Sequence, residues 1–249
     1  MGFDAARCAV LALHWQVNVI KPEGFFGPML SEPVARSGVV PRAVQFHQSA
    51  RAAGMPVVFT RFTVPAGEGG LVRNTAFMKA VGYAQDAFRP DAPGAQLIEE
   101  MSALTDQDHV VDNQKLSGLA GNYLPGWLAQ HGIDILFVTG VATNLVVEQT
   151  ARHGTDLGLT VHPVSDCVAA ATGLITRRTL LRRRSSQQLE HLCRSQATRR
   201  GQIQIGQRCA MYGVAGRGDA IADRVHRQAE IGAVPGGLLD HQIRGDTGD

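Results

Sequence analysis

Lysine is nearly absent from this 249-residue chain: Lys21, Lys79 and Lys115 are the only three. Aromatic residues make up 6% of the chain, and no apolar run approaches the roughly 18 to 20 residues that cross a bilayer. The longest apolar run near the N-terminus, Cys8 to Leu13, is too short even for the core of a secretory signal, so a cytoplasmic, non-membrane protein is expected. Four cysteines, Cys8, Cys167, Cys193 and Cys209, form no C-x-x-C pair and are too sparse for a disulfide framework. Reduced thiols follow, and zinc-finger spacing is excluded. The nine histidines form no H-x-x-x-H or H-x-E pattern, so no metal and no cofactor is expected. What remains, 44% hydrophobic residues with 28 Gly and 11 Pro, describes a globular protein with one sizeable core.

The net charge of +2 hides an uneven distribution. Residues 1–172 carry 11 basic and 15 acidic side chains, whereas residues 173–249 carry 13 arginines, no lysine and 7 acidic residues. In the first part, short apolar runs alternate with helix-like periodicity. Cys8–Leu13, Pro56–Phe62, His109–Asp112, Ile133–Val138 and Leu159–Val164 read as strands, and the segments 39–53, 95–103, 123–131 and 143–157 read as helices. Such alternation predicts an α/β fold of three layers, α/β/α, around a mostly parallel sheet. Ligands bind such sheets at the carboxyl ends of the strands. The residues to watch are therefore His14 to Asn18, Arg61 to Thr63, Asn113 to Lys115, Gly140 to Val146 and Ser165 to Cys167.

Three of these segments carry a family resemblance. Leu11-Ala-Leu-His-Trp-Gln-Val-Asn18 resembles the first-strand motif of the isochorismatase-like, or cysteine hydrolase, superfamily. Lys115 in Asp112-Asn-Gln-Lys-Leu-Ser117 resembles its lysine segment, and Thr139-Gly-Val-Ala-Thr-Asn-Leu-Val-Val-Glu-Gln-Thr-Ala-Arg152 closely resembles its nucleophile segment. The resemblance spans about residues 8–172 and implies the isochorismatase-like (Rossmann-like) fold, a small-molecule substrate and a homo-oligomer. It also implies a triad in which a strand-end aspartate deprotonates a cysteine at a helix N-terminus beside an ordering lysine. His14 stands at the aspartate position and Val146 at the cysteine position; Lys115 alone is retained.

Valine forms no acyl-enzyme, so the family's amidase route is closed at this position. Isochorismatases proper also lack the nucleophile and cleave a vinyl ether by protonation. At His14, an imidazole of ordinary pKa near 6.5 can give or take a proton near neutrality, and a neighbouring Lys115 ammonium would lower that value and favour a base. A structural histidine bonded to Lys115 or to backbone is the competing reading. Gly140-Val-Ala-Thr143 resembles the family's tight turn, which implies a cis Val141–Ala142 peptide, beside which the backbone N–H groups of Ala142 and Val146 would form an oxyanion hole. Trp15, Val141, Ala142, Thr143 and Arg61 are the expected substrate-binding residues, with Arg61 either gripping a carboxylate or sitting at the surface. Cys167 follows a strand but lacks a helix N-terminus, and Gly67-Glu-Gly-Gly70 reads as a flexible lid, not a phosphate loop.

Past Gly173 the resemblance stops. Residues 173–249 form a divergent, arginine-rich segment, read either as a disordered tail or as translation of an alternate frame of GC-rich DNA; Gln202–Ile205 alone alternates like a strand. A nucleic-acid-binding appendage is disfavoured, because Tyr212 is the one aromatic residue after Phe137 and stacking partners are missing. The expected function is hydrolysis of a small carbonyl, amide or enol-ether compound without a cysteine nucleophile. The alternative is a catalytically inactive relative that serves in ligand binding or assembly.

Overall fold

The computed structural model describes residues 3–173 and Thr176. The readings of the arginine-rich segment and of Gln202–Ile205 lie outside the described residues. Five strands, β1 (Cys8–Leu13), β2 (Val57–Phe62), β3 (Asp108–Asn113), β4 (Ile135–Val141) and β5 (Thr160–Ala169), form one sheet in the order β3-β2-β1-β4-β5. Every pairing is parallel. β1 lies at the centre, with every residue buried. Its alternation divides the core: Cys8, Val10 and Ala12 face one apolar cluster, and Ala9, Leu11 and Leu13 face the other.

Helices cover both faces, as a parallel sheet requires. On the first side lie α1 (Val17–Ile20), α2 (Gly27–Ser37) and α3 (Val39–Ala52), whose Leu30, Val34, Val39, Ala43 and Ala50 pack against Val10, Phe59 and Phe137. On the second lie α5 (Leu124–Gln130) and α6 (Glu148–Asp156), with α4 (Ala76–Tyr83) between β2 and β3 in the chain. Leu124 and Leu128 of α5 and Ala151 of α6 are buried. Arg51 at the end of α3 donates from Nε to both oxygens of Asp108, whose carboxylate is wholly buried at the start of β3. This pair joins the first helical layer to the sheet edge.

Two sequence expectations need correction. The helix expected over 95–103 is instead two 3-10 turns, Pro93–Ala95 and Glu99–Met101, separated by extended backbone. The chain after β1 claims that backbone: Ile98 N–H donates to Trp15 O, Val17 N–H donates to Gln96 O, and Gln16 bridges Leu97. The helix expected over 143–157 opens as a π-helical turn, Thr143–Val147, and becomes α-helical only from Glu148.

Glycine is required where β1 and β4 converge. A Cβ on Gly140 would lie 2.3 Å from the Leu13 carbonyl oxygen, and its φ of 136° is one that L side chains rarely adopt. Gly140→Ala is expected to destabilise the protein by about 3 kcal/mol or more, through overpacking and backbone strain together. Gly54, with φ 81° but nothing within 4 Å of a Cβ, is the control; Gly54→Ala should cost only about 1 kcal/mol. Equilibrium urea unfolding of the two variants checks this, and equal losses would contradict the close-approach argument.

Candidate active site

The carboxyl ends of β1, β2, β3 and β4 bring His14, Phe62, Lys115 and the Val141–Val147 turn to one edge of the sheet. His14, the first residue beyond β1, has a left-handed backbone with φ 55°, unusual for a residue with a side chain. Its N–H donates to Thr60 O at 3.0 Å, which extends the β1–β2 ladder by one bond before the chain turns. The imidazole is 4% exposed, stands edge-on to Phe62 with 6.1 Å between ring centroids, and its Nε2 has no hydrogen-bond partner. Burial alone pushes its pKa down from 6.5 to about 4. The direction agrees with the sequence expectation but the cause does not: desolvation lowers the value, with no contribution from Lys115.

Neighbouring side chains hold this arrangement from behind. Gln16, wholly buried, treats Phe62 as a strand partner: its Oε1 accepts from Phe62 N at 2.6 Å and its Nε2 donates to Phe62 O at 3.1 Å. The same Nε2 donates to Ala95 O at 2.8 Å. Trp15 is also wholly buried; its indole N–H donates to Thr139 Oγ1 at 3.3 Å, and that hydroxyl shares a 2.9 Å hydrogen bond with Nε2 of His47 on α3. Burial, chiefly, pushes the His47 pKa down to about 3, so this ring too is neutral. Trp15 thus lies in the core beneath the site. Gln16 falls within the strand-end segment His14 to Asn18, whereas Thr139 and His47 are not among the expected site residues.

At the end of β4 the Val141–Ala142 peptide is cis, as the resemblance implied. The Ala142 carbonyl accepts from Leu145 N and Val147 N at 3.2 and 3.3 Å, which winds the following residues into the π-helical turn. Thr143 is wholly buried, and its Oγ1 lies 3.3 Å from Thr176 Oγ1. Val146 is 4% exposed and belongs to the same apolar cluster as Leu13, Leu136, Val138 and Val168. Cys167 is likewise buried, on β5.

Lys115 is placed by an Asn-driven turn after β3. Asn113 Oδ1 accepts from Lys115 N at 3.1 Å, while its Nδ2 donates to the carbonyls of Lys115 and Ser117 at 2.8 and 3.0 Å. The Lys115 ammonium donates to the Gly70 carbonyl, and no hydrogen bond joins it to His14. Arg61 is committed elsewhere: on β2, opposite Asp112 in the β3 register, it holds both carboxylate oxygens at 2.8 and 3.1 Å and donates to Gln96 Oε1 at 2.9 Å. Its guanidinium, part-buried, braces the sheet edge. Among the described residues, no group of three His, Cys, Asp or Glu side chains is placed to hold a metal ion.

An open, parallel, doubly wound sheet with helices on both faces defines an α/β protein, a class in which ligands bind at the carboxyl ends of the strands. The chain belongs to the isochorismatase-like hydrolase family, whose isochorismatase domain matches residues 8–196. Solved structures agree on the fold. A cysteine hydrolase from Pseudomonas syringae pv. phaseolicola is 23% identical, with 73% of this chain and 86% of that one covered and a TM-score of 0.61. An isochorismatase family protein from Desulfovibrio vulgaris is 19% identical over 77% and 98% of the two chains, with a TM-score of 0.63. A nicotinamidase from Bacillus subtilis is 18% identical over 70% and 93%, with a TM-score of 0.57. No curated protein matches the chain.

Three buried imidazoles, those of His14, His47 and His162, impose a pH dependence. The folded values of His14 and His47, about 4 and about 3, lie below their ordinary 6.5. As pH falls below the unfolded value, the unfolded chain takes up protons that the native rings refuse, so stability drops. Each ring contributes a slope of up to about 1.4 kcal/mol per pH unit in that window. Urea midpoints measured at intervals from about pH 7 to about pH 4 should fall, and His14→Gln should flatten the fall. A midpoint that holds level or rises toward acid would show that these rings are not buried neutral.

Proposed function

We propose that this protein is a hydrolase of the isochorismatase family that acts without a covalent intermediate, with His14 as its proton-transfer group. The substrate is a small carbonyl, amide or enol-ether compound. The observation that carries this reading is the unpartnered Nε2 of a buried, neutral imidazole at the end of the central strand. A buried polar atom without a partner is destabilising unless something fills the need, and a substrate or its attacking water fills it here.

At neutral pH the ring is free to accept a proton. In amide hydrolysis, His14 takes the proton of the attacking water and returns it to the leaving nitrogen. The N–H groups of Ala142 and Val146 receive the oxyanion, and Lys115 adds a positive field. The valine at position 146 supplies no nucleophile, so water attacks the substrate directly. The protein this implies is a cytoplasmic homo-oligomer with its chemistry confined to residues 1–172.

A second reading, a non-catalytic relative that binds a ligand, is favoured by the packing of Val146 into the core and the turn of Lys115 toward Gly70. Assay of the purified full chain against amides and enol ethers separates the two. The hydrolase reading predicts turnover that His14→Ala lowers at least about a hundredfold, with an acid-limb apparent pKa near 4 instead of 6.5. Thiol-blocking reagents should leave the rate unchanged. Saturable binding with no turnover would establish the second reading instead.

A further inference from the structure

The Gly-rich segment after β2 rests on Lys115. Its entry is anchored firmly: Val64 N donates to Phe88 O at 2.7 Å, and Arg89 Nη1 donates to the carbonyls of Val64 and Pro65 at 3.1 and 2.6 Å. Its middle is not. Residues 66, 67, 69 and 70 are exposed, and Glu68 and Gly69 both have left-handed backbones, with φ of 61° and 55°. Apart from the local turn bonds, the Glu68–Arg73 ion pair and the packing of Leu71 at its end against the cluster of Phe62, Val64, Met78, Val81 and Phe88, two hydrogen bonds hold this stretch. One is the Lys115 ammonium on Gly70 O; the other is a long 3.4 Å bond from Gly70 N to Gln114 Oε1.

The lysine stem runs between two glycines. A Cβ on Gly70 would lie 3.5 Å from Lys115 Cε, and one on Gly121 would lie 3.4 Å from its Cγ. The cation at the end of this passage meets only a neutral acceptor. Lys21 is neutralised by Glu100 and Arg61 by Asp112, but among the described residues no carboxylate pairs with Lys115. The bond from the ammonium to the Gly70 carbonyl is already charge-assisted, and a carboxylate adds to it the Coulomb attraction of a full opposite charge. A bound anion therefore outcompetes the Gly70 carbonyl for Lys115.

We propose that Lys115 is an anion subsite that doubles as a latch: the carboxylate of a small ligand takes the ammonium from Gly70 and releases the 66–71 segment from the site. This assigns a carboxylate-bearing substrate to the site and rests on the reading of Lys115 as one of its lining groups. A ligand offering only neutral oxygen would leave the latch closed.

Hydrogen–deuterium exchange on the full chain, read at residues 66–71, tests it with benzoate as the anion, benzamide as its neutral counterpart and chloride at matched ionic strength. Benzoate should speed exchange by about fivefold or more, and benzamide and chloride should not. Lys115→Met should exchange fast without any ligand and ignore benzoate. Glu68→Gln, which breaks only the ion pair with Arg73, should keep the benzoate response. Slow exchange in Lys115→Met, a benzoate response that survives in it, or equal responses to all three solutes would overturn the proposal. Exchange does not depend on turnover, and the same experiment on His14→Ala should show an intact latch. The latch can therefore fail while His14-dependent hydrolysis stands, and the reverse.

Discussion

Water is excluded from the end of the central strand, and the site depends on that exclusion. β1 runs six residues with every side chain buried and delivers His14 to a place where its ring is still 4% exposed. Gly140 allows β4 to close against the Leu13 carbonyl on one side, and the Gln16 side chain pins Phe62 on the other. Between them the imidazole has an aromatic edge for a neighbour and no charge. A carboxylate in such surroundings would need a partner or would lose its charge. A neutral imidazole tolerates them.

On the proposed reading, the two departures from the family triad belong together. A thiolate needs a base and a positive environment. With an apolar side chain at position 146 packed among Leu136, Val138 and Val168, neither is called for, and the base position holds a group that is stable uncharged. Lys115, left without an acidic partner among the described residues, turns to the Gly70 carbonyl. The site is then a neutral proton acceptor beside an apolar floor, with a single cation at its rim.

The sheet was legible in the sequence because parallel strands buried on both faces read as unbroken apolar runs. β1 has the bounds its composition implies, and the edges of β4 and β5 moved by a few residues where a bulge between them shifts the register. Helix α2 was hidden by its prolines: Pro28 sits harmlessly in the first turn, but Pro33 lies inside. The stretch around Gln96 defeated helical periodicity because a partner far away in sequence, the loop after β1, took its backbone bonds.

The motif order put His14, Lys115 and Val146 after strands, and they lie beyond β1, β3 and β4, since those positions are set by local topology. Sequence could not show which partner each long side chain would find. Arg61 meets Asp112 only through the β2–β3 register, Lys115 meets Gly70 only through the fold of a glycine-rich loop, and the low pKa of His14 follows from burial that no residue pattern displays. Those are properties of packing.

The central claim is that His14 is a buried, uncharged imidazole whose free nitrogen faces the site. Long-range proton–nitrogen correlation spectra of the ¹⁵N-labelled full chain, assigned with His14→Gln, report its charge and tautomer directly. A neutral ring at pH 6 that takes up a proton only near 4 is the result predicted. An imidazolium signal at pH 6, titrating at or above the ordinary value of 6.5, would contradict it.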